Sequence, residues 1–298
     1  MKIQKVNIEK YKILSGSALK LIAVISMLID HIGVALTYED FANQNLISLF
    51  GKDISIYFIL RFVGRLAFPI FCFLISEGFY HTKNRFKYGR NLLLFALISE
   101  IPFDLFTSRN IFSMGGQNVY FTLFVGFLAL YIIDSNFHFL YKALFFVFVL
   151  GAFPLLKTDY GVKGVLLIVL FYYLRENNLL KTILSFPFLS GGYRAFCSLF
   201  FINLYNGKRG VVNNKFSKYF FYAFYPMHLL ILYFVRLYIS WLFFVFHYNQ
   251  FQRYPNIQAH WRLQIRSRHF LISLKSFSKP WVCFLLHYEI KELIRFRF

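Results

Sequence analysis

Five long apolar runs limit what this chain can fold into. They are Ala18–Leu36, Ile54–Ile75, Asn91–Phe106, Val119–Ile133 and Tyr219–Ser240, separated by short polar stretches. Each is about 15–22 residues long, close to the ~20 that a helix needs to cross a bilayer. In hydrocarbon every backbone N–H and C=O must be satisfied within the protein, and a helix does this alone. The pattern therefore predicts an all-α, polytopic transmembrane helical bundle. Composition agrees, with 58% hydrophobic residues and a mean hydropathy of +0.53. A soluble domain holds roughly 45–50% apolar residues, so a cytosolic enzyme is excluded.

The formal net charge of +20 reports topology, not nucleic acid. The basic residues fall in the connections between spans, as the positive-inside rule requires. Lys2, Lys5, Lys10 and Lys12 precede the first span and put a basic segment, 1–17, in the cytoplasm. No small-residue cleavage pattern follows the first run, so it is expected to stay as an anchor. The acidic stretch with Glu39, Asp40 and Asp53 suits the outside, and "HTKNRFKYGR" (81–90) returns the chain inside. Continuing the alternation gives eight or nine spans. Nine requires two short spans in 179–205, divided near "SGGYR" (190–194), which keeps the basic loop 206–218 inside.

Residues 241–298 depart from the rest. All three tryptophans and four of the eight histidines lie there, in an arginine-rich stretch. It reads as a peripheral amphipathic tail or, preferably, as an extension unrelated to the bundle at 18–240. The cysteines Cys72, Cys197 and Cys283 have neither CxxC nor metal-ligand spacing and read as buried free thiols.

Ionisable residues inside spans are functional candidates by default, because a charge there costs several kcal/mol. In "SMLIDHIGV" (26–34), Asp30 and His31 are adjacent. Neighbouring helical residues point about 100° apart, so the two cannot serve each other. Counting 1.5 Å per residue, Asp30 near the outer end of the first span is level with Arg61 on the second. That register predicts an Asp30–Arg61 pair, with Arg65 one turn deeper on the same face. Any group orienting His31 must come from another helix or from a ligand. Glu100 lies near mid-depth before Pro102, and His228 lies just past Pro226. Glu77 is expected near the inner surface, solvated, and Asp104 near the outer surface as a cap or partner. Asp159 in "TDYG" is expected as a helix N-cap, and Arg194 at the break between short spans. No HExxH, GxSxG, P-loop or zinc spacing is present, so no metal is implied. Buried histidines, arginines and carboxylates suit a general base with anion-binding groups. They equally suit a proton-coupled transporter.

Several blocks carry a family resemblance: "LKLIAVISMLIDHIG" (19–33), "GRLAFPIF" and "SEIPFD" within 60–105, "DYGVKG" (159–164) and "YPMHL" (225–229). Together, over about 15–238, they resemble the TraX family, named for a protein required for F-pilin N-terminal acetylation. The family is distantly similar to multi-helix membrane acyltransferases. The resemblance implies a multi-pass protein of the bacterial inner membrane that transfers acetyl from acetyl-CoA. The acceptor would be an amine or other group on a pilin, envelope peptide or glycan. A non-catalytic component of a pilus or secretion system is the further alternative. The implied catalytic set is His31 as base, with Asp30, Arg61, Arg65, Glu100 and His228. Glu77, Asp104, Asp159, Tyr160, Arg194 and Tyr225 are the implied acceptor-binding residues. Lys83, Arg85 and Arg90, with Lys87 in the same loop, and Lys208 and Arg209 are the implied partners of the CoA phosphates.

Overall fold

The computed structural model describes residues 12–36, 45–49, 52–151, 153–210 and 215–253. The chain divides into two units, Met1–Arg236 and Leu237–Phe298. Within the first lie α1 (Gly16–Leu36), α2 (Ile56–Gly64), α3 (Ala67–His81), α4 (Arg85–Ser108) and α5 (Val119–Ile133). There follow α6 (Phe139–Gly151), α7 (Gly161–Tyr173), α8 (Asn178–Ser185), α9 (Tyr193–Phe196) and α10 (Ser198–Asn203). A last helix, α11 (Lys215–Arg253), begins in the first unit and ends in the second. Of the tail expected at 241–298, residues 254–298 lie outside the described residues, as does Cys283.

The helical class is as the apolar runs predict, with one addition. Between α1 and α2 a two-stranded antiparallel hairpin forms, β1 (Asn45–Leu49) with β2 (Lys52–Ser55). Ser55 then caps α2, its hydroxyl accepting from Phe58 N–H. Four stretches are long and apolar enough to cross a membrane: Gly16–Leu36, Ile56–His81, Arg85–Ser108 and Tyr219–Leu242. Three shorter apolar helices, Val119–Ile133, Phe139–Gly151 and Gly161–Tyr173, join them. The two short spans expected in 179–205 are instead a string of short helical pieces. At 1.5 Å per residue, α8 rises about 12 Å, well short of a ~30 Å core.

The Ile56–His81 stretch breaks at Arg65–Leu66 for a covalent reason. Pro69 has no N–H to offer the Arg65 carbonyl four residues back, and its ring crowds that carbonyl. Proline is tolerated in the first turn of a new helix, and α3 begins there. The helix so started is the centre of the bundle. It buries Phe68, Ile70, Cys72, Phe73 and Phe79 against α1, α5, α7 and α10. By contrast α6 exposes Phe139, Leu140, Leu144, Val147, Phe148 and Leu150, the apolar face that lipid would cover.

The basic connections gather at one end. The first-turn N–H groups of α1 have no intrahelical acceptor. Gly16 and Ser17 donate to the carbonyls of Lys208 and Arg209, at 2.8 and 3.0 Å. Leu14 and Asn206 complete the tie through Leu204 and Leu14 carbonyls. The loop 204–209 therefore lies beside the N-terminal end of α1, on the side that the charge rule assigns to the cytoplasm. Arg85 pairs with Asp134, and Arg175 with Glu77, at this same end.

Candidate active site

α1 and α2 pack face to face because glycine lets them. A Cβ added at Gly64 would lie 2.0 Å from Asp30 Oδ1, so only hydrogen fits there. This approach lets Arg61 donate from Nη1 to Asp30 Oδ2, closing the ion pair that the register predicts. Both side chains keep 16–17% of their surface. Arg65 stands at the C-cap of α2, its stem against the Gly191 turn. It makes no ion pair among the described residues, and Asp30 and Asp159 both lie within its electrostatic reach.

His31 finds its partner on α11. Its Nδ1 lies 2.7 Å from His228 Nε2, and His228 Nδ1 lies 2.8 Å from the Phe224 carbonyl oxygen. A carbonyl only accepts, so His228 Nδ1 carries the proton and its Nε2 accepts. His31 Nδ1 must then donate, which leaves a lone pair on His31 Nε2. The imidazole pair is walled by Phe106 and Tyr225, with ring centroids 5.6 and 6.2 Å from His31. Tyr225 and His228 are 4% exposed.

The "YPMH" stretch owes its geometry to Pro226. Proline cannot donate to the carbonyl four residues back, so the Tyr222 carbonyl loses its helical partner. Tyr120 on α5 supplies a replacement, its hydroxyl donating to Tyr222 O at 3.1 Å.

From the far end of the bundle the loop before α7 adds Asp159 and Tyr160. Asp159 does not cap α7, as the sequence suggests. The cap position is Tyr160, held in the left-handed region at φ 66° with no side-chain cap bond. Its ring stacks on Phe68 at 3.5 Å between centroids, which holds the unusual backbone in place. Asp159 is crowded by protein yet keeps an exposed surface on this loop. Burial pushes its carboxyl up to about 6, against the opposing pull of Arg65.

Asp30, His31, Arg61, Arg65, Asp159, Tyr160, Tyr225 and His228 thus form one contiguous group. Four other expected members do not join it. Glu100 turns to the N-terminus of α5, accepting from the Asn118 backbone and side-chain amide. Asp104 is buried, accepting from Ser113 N–H at 2.8 Å, and shapes the following loop. Arg194 lies over the Phe58 ring at 4.4 Å. Glu77 is not solvated at all. It is 4% exposed and pairs with Arg175 at 2.7 Å, a partner 98 residues away. Cys197 is likewise exposed, where a buried thiol is expected, and Cys72 is buried.

At the basic end Glu77 helps line a cavity of about 660 Å³. Lys20, Lys83, Lys87 and Arg209 supply its cationic lining, and Tyr88, Tyr120, Phe221 and Tyr222 its aromatic walls. Of the expected phosphate partners, Lys83 and Arg209 line it. Arg85 is turned to Asp134 and the Phe79 ring, and Arg90 and Lys208 are not among the lining residues. The sequence reading missed Lys20 and Tyr120. A lysine one turn inside a span, able to carry its charge back to the interface, was the available signal for the first. Among the described residues no cluster of three His, Cys, Asp or Glu could hold a metal ion.

Comparison with known proteins agrees with these blocks. The family model described as "TraX protein" matches residues 15–236. This chain belongs to the TraX family. The match ends where the first unit ends, at Arg236. A relative in Dichelobacter nodosus, named probable fimbrial assembly protein FimC, serogroup H1, is 31% identical over 248 residues. That alignment covers 73% of this chain and 94% of the relative. No solved structure matches.

Proposed function

We propose that this TraX-family member is a membrane-embedded acetyltransferase acting in pilus or fimbria assembly. The observation that carries the reading is the hydrogen-bonded chain Phe224 C=O, His228, His31, which ends in an unprotonated nitrogen at His31. A fixed tautomer in a water-poor site is what a general base requires. The donor is acetyl-CoA as a substrate, its phosphates received by Lys83, Arg209, Lys20 and Lys87 around the basic cavity. Tyr222 lines that cavity and His228 lies six residues on along α11, a rise of about 9 Å. A donor seated by its phosphates would span this gap with its long thioester arm.

In this scheme an acceptor amine attacks the thioester carbonyl as His31 Nε2 takes its proton. The new N–C bond forms, the C–S bond breaks, and the proton passes to the departing thiolate. Arg65, which has no ion-pair partner among the described residues, stands closest in kind to an oxyanion stabiliser. The name of the Dichelobacter relative supports an acceptor on a fimbrial subunit, with other envelope peptides or glycans as further acceptors.

The test is incubation of membranes containing the full chain with radiolabelled acetyl-CoA and cell-envelope fractions. Label should pass to an envelope component with the parent chain. With His31→Ala it should fall by about 10²–10⁴-fold, the usual contribution of a general base. Full labelling by His31→Ala removes the histidine from the mechanism. Solute flux in proteoliposomes with no label transferred favours a carrier.

A further inference from the structure

Between the basic cavity and the histidine pair stand two rings in contact. Tyr120 lines the cavity and meets Tyr225 edge to face, with centroids 5.3 Å apart. Tyr225 in turn meets His31 and His228. Among the described ring contacts Tyr120 is the one cavity-lining residue that touches Tyr225. The cavity and the base are therefore joined through the Tyr120–Tyr225 contact.

We propose that Tyr120 is the gate through which an acyl group passes from the basic cavity to His31, and the residue that sets the group's width. This deepens the acetyltransferase reading and rests on it for the identity of the acyl group. The latch is chemical. Pro226 strips the Tyr222 carbonyl of its helical donor, and the Tyr120 hydroxyl occupies it at 3.1 Å, beyond the usual O–H···O range of about 2.5–3.0 Å. The Tyr120 hydroxyl and the vacant carbonyl are on different helices, α5 and α11, so a small relative shift releases the ring. With the ring in place only a small acyl group can edge past Tyr225. With the ring removed the cavity runs on toward the histidines.

The gate can be read without any acyl donor. His31→Cys is placed in the full chain, and membrane vesicles are prepared with the Lys83–Arg209 face outward. A charged, impermeant methanethiosulfonate is applied, and labelling above the His31 parent is timed. Adding Tyr120→Ala should speed labelling by roughly tenfold or more, the scale of a removed gate. Tyr120→Phe keeps the ring and loses only the latch, so it should fall between the two, and it covers the case in which the alanine variant fails to fold. Equal rates in all three chains, or labelling only from the opposite face, overturns the proposal. Acetyl-CoA added beforehand should slow labelling. A gate effect without such protection keeps the gate and removes the donor. A final arm compares acetyl and hexanoyl thioesters. Tyr120→Ala should raise the hexanoyl-to-acetyl transfer ratio by roughly tenfold, the discrimination a reshaped apolar pocket supplies. An unchanged ratio denies Tyr120 its role in width.

Discussion

Two of the carboxylate–arginine pairs in this bundle were not equally visible. Asp30–Arg61 joins consecutive long elements, α1 and α2. Glu77–Arg175 joins α3 to the turn after α7. The first pair neutralises charge within the membrane-spanning part of the bundle, beside the histidines. The second stands at the basic end, where Arg175 also lies 3.5 Å over the Tyr80 ring and Glu77 also approaches His81 at 3.4 Å. A pair held by one ion pair should be brittle. A pair inside a network of ion pairs and a ring contact should be forgiving.

Removing one partner from each breaks or sharpens this contrast. Asp30→Ala removes the ion-pair partner of Arg61 and should cost about 3–5 kcal/mol, the scale of breaking a buried pair by removing one partner. Glu77→Gln leaves Arg175 with Tyr80, Glu176 and water, and should cost about 1–2 kcal/mol, the scale of a charged hydrogen bond. Thermal unfolding in detergent measures both. Equal losses would mean that the surrounding network does not separate the two pairs.

A backbone test comes next in size. Gly64→Ala puts a methyl where Asp30 Oδ1 already lies, forcing α1 and α2 apart. The overpacking should cost about 1–3 kcal/mol. The double variant Gly64→Ala, Asp30→Ala should lose less than the two single losses added together, because the second change removes the group that clashes. Additive losses would deny that Asp30 and Gly64 share one contact.

The smallest expected effect is a pH dependence. Asp159 has its carboxyl raised to about 6 by burial, above its ordinary value. The folded chain therefore holds this proton more tightly than the unfolded one, and folding is opposed increasingly as pH rises from about 4 through 6. Asp159→Asn removes the penalty. The melting temperature of the variant relative to the parent should rise across that window and level off above it. A difference that is flat with pH would deny that the carboxyl of Asp159 is raised in the folded chain.

What the sequence showed depended on distance along the chain. The Asp30–Arg61 pair was legible because consecutive antiparallel spans have a countable register. The absence of an Asp30–His31 dyad was legible from helix geometry alone. His228 was recognisable as a second intramembrane histidine, but nothing local brings residue 228 to residue 31. That meeting is set by packing across the bundle. Glu77 was misread as solvated because Arg175 lies 98 residues on. The hairpin at 45–55 is not legible because it falls in the connection between two apolar runs, and a four- or five-residue strand lacks the period that identifies a helix. The re-routing of 179–205 into short pieces followed from its Pro187 and Gly191–Gly192 breaks, which charge alternation cannot weigh against span length.

The central claim is that His228 acts only through His31. The most direct measurement is a double-variant cycle on acetyl transfer, with His31→Ala, His228→Ala and both together. Residues that act as one unit are strongly non-additive. The account predicts that the double variant is no slower than His31→Ala alone, and that His228→Ala retains more activity than His31→Ala. Losses that multiply, or an active His31→Ala chain, would contradict it.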